Sequence, residues 1–117
     1  MSIPKEIKIG GMQYAVTEKD TVDNNAQCYG VCVYHDTHIE IKKELSAERK
    51  EQTLIHEMMH GVFFESGFED HEEEVVNRVS AVLYQVLKDN DFSWIHPAVE
   101  VDEFYQGNKP IKIKQML

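Results

Sequence analysis

Alternating apolar and polar residues mark the first part of the chain as strand-forming. Residues 7–9 read Ile-Lys-Ile, and two glycines separate them from residues 12–17, which predicts a short hairpin with a glycine turn. Residues 29–34 are dense in β-formers, residues 38–42 alternate isoleucine with polar neighbours, and His-Asp-Thr between them suits a turn. This pattern predicts a second hairpin.

The periodicity then changes to that of helices. Apolar residues recur three and four positions apart from residue 47 to residue 63, with Ser46 as the expected N-cap. Glu65-Ser66-Gly67 predicts the end of this helix, with Gly67 as its C-cap. A second helix is predicted over residues 72–88, ended by Asp-Asn-Asp. Its apolar side consists of Val75, Val76, Val79, Val82, Leu83, Val86 and Leu87.

This order of elements predicts an α+β fold, in which a small antiparallel sheet packs on a pair of helices. We expect Val76, Val79 and Leu83 to face the first helix. The 117 residues suffice for one domain, residues 1–117, with a core over about residues 7–91. Residues 92–117 are expected to be irregular, although residues 111–114 alternate as an edge strand or a tail would.

Composition narrows the possible partners. The net charge is −9, with 21 acidic against 12 basic residues, so direct nucleic-acid binding is not expected and a metal or a basic peptide is a better electrostatic match. No apolar run is long enough to span a membrane, and the N-terminal residues lack the apolar stretch of a secretory signal. We therefore expect a cytoplasmic protein without membrane contact. Cys28 and Cys32 are not spaced as a C-x-x-C motif and are expected to be reduced, partly buried thiols.

The chemistry is concentrated in His56-Glu57-Met58-Met59-His60, an H-E-x-x-H pattern in the middle of the first helix. Residues four apart share one face of a helix, so both imidazoles can point at one ion. The glutamate between them lies beside that line, where it can take a proton from a water on the metal. The pattern predicts His56 and His60 as metal ligands, Zn²⁺ as the metal and Glu57 as the catalytic base.

A catalytic zinc site needs a third protein ligand. The candidates are Asp70, His71, Glu72, Glu73 and Glu74. Glu73 is favoured because Asn77 follows one helical turn later, and its amide can support the carboxylate and the histidines. The neighbouring glutamate at position 72 is the next choice, since it lies on the stripe of residues 76 and 79. The longer pattern H-E-x-x-H-x-x-G-x-x-H is excluded, because phenylalanine and serine occupy positions 63 and 66.

These residues resemble a known family. Residues 53–61, followed by residues 73–79, are similar to the small gluzincins, which include the ImmA/IrrE-type metallopeptidases and related short proteins of bacteriophages and prophages. The likeness covers about residues 30–90. It implies Glu73 as the third zinc ligand, Asn77 as the residue that supports the histidines, and a short three-stranded sheet whose edge borders the active-site cleft.

The expected function is therefore a zinc-dependent metallopeptidase that hydrolyses a peptide bond in a peptide or protein substrate. The resemblance suggests that it is encoded by a phage or prophage. The alternative is a zinc-binding phage accessory or interaction protein, with a metallopeptidase-like fold and little or no protease activity. Neither interpretation specifies a substrate or an oligomeric state.

Overall fold

The computed structural model describes residues 3–68 and 70–96, and these form one four-stranded sheet, two α-helices and a 3-10 turn. The predicted α+β class is confirmed. In chain order the elements are β1 (Glu6–Ile9), β2 (Met12–Lys19), β3 (Gly30–Val33), β4 (His38–Lys42), α1 (Ala47–Glu65), α2 (Glu73–Asp89) and the 3-10 turn (Ser93–Ile95). None of the helices in these ranges is long and apolar enough to cross a membrane.

The chain divides into two compact units, residues 1–86 and residues 87–117. The second unit is described only as far as residue 96, where it contains the last residues of α2 and the 3-10 turn. The segment 111–114 lies outside the described residues. Its interpretation as a strand or tail and the single-domain interpretation both stay predictions.

Both predicted hairpins are present, but the prediction of an antiparallel sheet is wrong. β1 pairs antiparallel with β2, and β3 pairs antiparallel with β4, whereas β2 and β4 run parallel. The strand order is β1-β2-β4-β3, so the sheet is mixed. It also has four strands among the described residues, rather than the three that the family resemblance implied.

The burial of the second hairpin explains this arrangement. Ile39 and Ile41 of β4 are fully buried, whereas all four residues of β3 are half-buried. The strand that carries the two buried isoleucines occupies the central position beside β2. β3 pairs with the other side of β4 and forms an edge of the sheet, and β4 runs parallel to β2. The ten residues between β2 and β3 provide the length to reach that edge.

The core lies between the sheet and α1. Gly61 of α1 allows a close approach to β1, because a Cβ at this position would lie 2.9 Å from Ile9 Cδ1. Leu54 from the same helix is buried among the strands' side chains. The buried cluster consists of Ile3, Ile9, Tyr14, Val16, Ile39, Ile41 and Leu54. Helix α1 is thus fixed against the sheet along much of its length, which gives the histidines that it carries a rigid support.

The first turn of α1 is capped as the sequence predicted. Ser46 Oγ accepts a hydrogen bond from the Arg49 backbone N–H at 3.2 Å. This contact satisfies one of the donors that a helix leaves unpaired at its N-terminus.

The C-cap of α1 is Ser66 rather than the predicted Gly67. Gly67 is the next residue, and with φ +99° it reverses the chain. The Gly67 N–H donates to the Phe64 carbonyl at 3.0 Å, and the Phe68 N–H donates to the Phe63 carbonyl at 2.8 Å. These two bonds and the edge-on Phe63–Phe68 contact, with ring centroids 6.0 Å apart, form a Schellman motif. The reversal directs the following residues back over the last turns of α1.

Helix α2 begins and ends one residue later than predicted, and its buried face differs from the expected one. Val76 and Ser80 are buried, and the Tyr84 hydroxyl donates to Glu51 of α1 at 2.9 Å. Val79 is 42% exposed, so the prediction that it packs against α1 is wrong. The side facing α1 follows an i, i+4, i+8 line that includes a serine and a tyrosine hydroxyl, which apolar periodicity does not reveal.

Candidate metal centre

Three side chains from two helices converge at one point. His56 and His60 project from α1, and Glu73 comes from the first turn of α2. His56 Nε2 lies 2.7 Å from Glu73 Oε2, and His60 Nε2 lies 3.1 Å from Glu73 Oε1. Each residue offers one potential ligand atom, and these atoms all lie within 4.8 Å of one another. The structure thus brings together the two histidines and the glutamate that the sequence favoured.

The tautomer of His60 is determined by a chain of hydrogen bonds that starts at its Nδ1, the ring nitrogen that faces away from Glu73. His71 Nδ1 lies 2.9 Å from the Phe68 carbonyl oxygen, which can only accept, so His71 Nδ1 carries the proton. His71 Nε2 is then an acceptor for neutral imidazole, and His60 Nδ1 donates to it at 2.9 Å. This chain of bonds leaves the lone pair of His60 Nε2 directed at Glu73. A metal-ligating histidine has this arrangement.

The donor set fits a divalent cation. A neutral His60 Nε2 and a carboxylate oxygen both present lone pairs, so their 3.1 Å approach needs a proton or a cation between them. Burial lowers the pKa of His60, and the neighbouring His56 and His71 lower it further, while Glu73 acts in the opposite direction. Two imidazole nitrogens and one carboxylate form a ligand set that Zn²⁺ prefers, with a fourth position left for water or substrate.

Glu57 lies beside this group and is almost wholly buried, with 7% of its surface exposed. Burial, and secondarily the negative charge of Glu73, raise its pKa to about 8. A carboxyl group in this environment can exchange a proton near neutral pH, which is what a general base and acid requires.

The site opens into a cavity of about 540 Å³ between α1 and α2, at the start of β3. His56, Glu57 and Asn77 contribute to its wall. Gly30, the first residue of β3, allows the strand to approach α1, because a Cβ there would lie 2.6 Å from Thr53 Cγ2 and 3.2 Å from Glu57 Cγ. The edge strand therefore lies directly beside the candidate base.

The other candidate ligands have different surroundings. Glu74 forms an ion pair with Arg78 at 3.2 Å, and the Glu72 carbonyl accepts the first backbone hydrogen bonds of α2. Asp70 lines a second cavity of about 490 Å³, next to His60 and His71. Neither these carboxylates nor the His71 nitrogens belong to the converging group, among the residues that the structure describes.

Asn77, proposed from the sequence to support the histidines, lies on the cavity wall near His56. Within the described ranges, its side chain has no hydrogen bond to either histidine, and its carbonyl accepts from Ser80 Oγ at 3.3 Å. The supporting role of Asn77 therefore stays a prediction.

Sequence reasoning missed the supporting role of His71 and the position of Tyr34. The Tyr34 ring stacks on Phe64 of α1 with centroids 4.4 Å apart, and its hydroxyl lies 3.4 Å from His71 Nε2. His71 itself stacks on Phe63 with centroids 5.3 Å apart. The contacts of His71 depend on the chain reversal at Gly67, which lies between α1 and His71. A glycine after the helix, followed by a histidine four residues later, was the available signal.

Comparisons of this chain with protein-family models, with curated proteins and with solved structures found no match.

Proposed function

We propose that this protein is a zinc-dependent metallopeptidase with a minimal zincin-like arrangement. His56, His60 and Glu73 hold the ion, and Glu57 is the catalytic base. The observation that carries this proposal is the convergence of three ligand atoms within 4.8 Å, beside a buried glutamate and on the wall of a cavity. The hydrogen bonds from His60 to His71 and from His71 to the Phe68 carbonyl support this proposal, because they leave His60 Nε2 unprotonated and free to bind a metal.

The chemistry follows from the positions of these residues. When bound, Zn²⁺ supplies a Lewis acid that polarises a carbonyl and lowers the pKa of water. Glu57 accepts the proton that water loses as its oxygen bonds to the peptide carbonyl carbon. Glu57 then passes this proton to the amide nitrogen as the C–N bond breaks, so the products are a carboxylic acid and an amine. Burial keeps Glu57 apart from bulk solvent, which strengthens its interactions with the reacting atoms.

The substrate is a peptide or protein segment in extended conformation. β3 lies at an edge of the sheet and starts at the cavity, so a segment can add beside it through backbone hydrogen bonds. The resemblance to the small gluzincins is the basis for proposing a phage or prophage origin.

The test compares wild type with Glu57→Gln on a library of unstructured peptides, with zinc in the buffer. The variant keeps the size of the side chain but removes the base, so we expect retained zinc and fold with cleavage reduced about 10²- to 10⁴-fold. Glu48→Gln, in the exposed first turn of α1, is the matched control and should cleave as wild type does. Equal cleavage by wild type and Glu57→Gln contradicts the assignment.

A second candidate function is a zinc-binding interaction protein. Three apolar side chains on one face of α2 favour it, because Val75 and Val79 are each 42% exposed and Val82 is 62% exposed. A wild type that cleaves nothing in the library, yet binds a partner as well as Glu57→Gln does, would support this candidate over the peptidase.

A further inference from the structure

The cavity beside the candidate metal centre has a cationic end. Arg49 lines it together with Thr53, His56 and Glu57, all from α1. Residues seven positions apart lie two turns apart on the same face of a helix, which places Arg49 about 10 Å from His56 along the helix axis. A substrate in the cavity can therefore contact both residues.

Arg49 makes no ion pair with any residue in the described ranges. Its guanidinium lies over the Tyr29 ring, 5.9 Å from the centroid, which is a weak cation–π contact. Its neighbour Lys50, by contrast, is paired with Glu18 at 2.6 Å. A cation in the first turn of a helix is also unfavourable, because the helix dipole is positive at that end. The stability of the fold therefore does not explain an arginine at this position.

The rest of the cavity wall provides no competing charge near Arg49. Among the described residues that line the cavity, Glu57 is the one carboxyl group, and it lies eight positions after Arg49 on α1, about 12 Å along the helix axis. Apart from His56, which belongs to the proposed metal centre, the remaining polar residues of the wall have uncharged side chains: Gln27, Tyr29, Gln52, Thr53, Asn77, Ser80 and Tyr84. The net charge of −9 favours basic partners for the molecule as a whole. At this end of the cavity the sign of the charge is reversed, so an anionic group is favoured there.

We propose that Arg49 and the Tyr29 ring form a subsite for a carboxylate of the peptide substrate. Extended peptides advance about 3.3 Å per residue, so a carboxylate at Arg49 lies about three residues from the bond that is cleaved. The carboxylate belongs either to an aspartate or glutamate side chain or to the C-terminus of the peptide. Arginine suits this role because its guanidinium can donate two parallel hydrogen bonds to one carboxylate. This inference rests on the proposed peptidase function for the identity of the substrate.

The test measures binding by fluorescence anisotropy, with zinc in the buffer. Four fluorescein-labelled octapeptide libraries serve as probes, with either Glu or Gln at one scanned position and with either a free or an amidated C-terminus. Glu57→Gln is the background, so that the probes stay intact. Arg49→Gln is compared with Lys50→Gln, which removes the adjacent and already paired cation.

We expect one type of carboxylate to tighten binding about tenfold, the contribution of a charge-assisted hydrogen bond. Arg49→Gln should abolish this preference and Lys50→Gln should retain it. A preference for Glu over Gln identifies a side-chain carboxylate, and a preference for the free over the amidated end identifies the C-terminus. Equal binding of all four libraries, or a preference that persists in Arg49→Gln, overturns the proposal.

The experiments distinguish a failure of the peptidase proposal from a failure of the carboxylate subsite. Cleavage that depends on Glu57 but shows no carboxylate preference would keep the peptidase function and overturn the subsite. Carboxylate binding that is lost in Arg49→Gln, in a protein that cleaves none of the peptides, would keep the subsite and contradict the peptidase.

Discussion

At the scale of single residues, the state of the candidate site is set by hydrogen bonds outside the ligand group. His60 donates a hydrogen bond from Nδ1 to His71 Nε2 at 2.9 Å. His71 in turn donates from its own Nδ1 to the Phe68 carbonyl oxygen. Without these contacts the His60 ring could rotate or carry its proton on Nε2, where it would block a metal. His71 is thus a positioning residue, and the sequence had suggested it only as an alternative ligand.

His71→Phe tests this positioning role. Phenylalanine can retain the stacking on Phe63, whose ring centroid lies 5.3 Å from that of His71, but it offers no acceptor to His60. We expect zinc affinity to fall about 10- to 100-fold. In the metal-free protein, the ¹⁵N shifts of His60 should show that the proton is no longer confined to Nδ1. His38→Phe, on β4, is the control and should change neither quantity.

A second residue-scale prediction concerns the turn between β1 and β2. Gly10 and Gly11 have φ values of +58° and +86°, so alanine is strained at both positions by about 1–2 kcal/mol. A Cβ at Gly10 would also lie 2.9 Å from Glu65 Cβ, whereas nothing lies within 4 Å of a Cβ at Gly11. Urea unfolding should therefore show a larger loss of stability for Gly10→Ala than for Gly11→Ala. Equal losses of stability would contradict this prediction, because they would mean that the close contact between the added Cβ at position 10 and Glu65 does not destabilise the fold.

At the scale of elements, local pattern predicted the strands and helices but not the sheet order. Alternation identified both hairpins, and capping residues identified the ends of α1. Which strand of the second hairpin pairs with β2 is decided by long-range burial of Ile39 and Ile41, which local alternation does not encode. In α2, Val76 is buried as predicted, but a serine and a tyrosine hydroxyl also face α1, so counting apolar residues wrongly placed Val79 in the contact.

The N-cap of α1 is predicted to stabilise the element that carries both histidines. Ser46→Ala removes the acceptor for the Arg49 N–H and should lower the free energy of unfolding by about 1 kcal/mol. Ser66→Ala, at the other end of the same helix, is the comparison. In the described part of the chain no hydrogen bond of the Ser66 side chain would be lost. Chemical denaturation measures both variants, and equal effects would contradict the capping role.

At the scale of the whole molecule, the candidate site joins α1, the segment after Gly67 that carries His71, and the first turn of α2. Helical spacing alone was sufficient to predict that His56 and His60 share one face, and an amide one turn after Glu73 favoured that glutamate over its neighbours. The role of His71 could not be predicted in this way. It depends on the positive φ of Gly67, which returns the chain over the end of α1.

The pH dependence of stability is also a property of the whole molecule. Burial raises the pKa of Cys32 from 9.0 to about 12 and that of Tyr34 from 10.0 to about 12, and burial also raises the pKa of Tyr14. Above pH about 9 the unfolded chain releases these protons while the folded chain keeps them. Their contribution is complete below pH 9 and is lost as the pH rises towards about 12.

We therefore expect the free energy of unfolding to fall between pH 9 and pH 12, the interval between the two values for Cys32. Cys32→Ala should show a shallower fall, because the group responsible for part of it is absent. Denaturant titrations across this range measure the slope, and an identical slope in both proteins would contradict the buried thiol's role.

Zinc content tests the central claim most directly. Protein purified without added zinc, equilibrated with the metal and then dialysed, should carry about one zinc per chain by elemental analysis. His56→Ala and His60→Ala should carry almost none, and Glu73→Ala should bind much more weakly. Glu74→Ala, which removes the adjacent carboxylate paired with Arg78, should bind as wild type does. A wild type that takes up no zinc, or that is matched by all of these variants, would contradict the account.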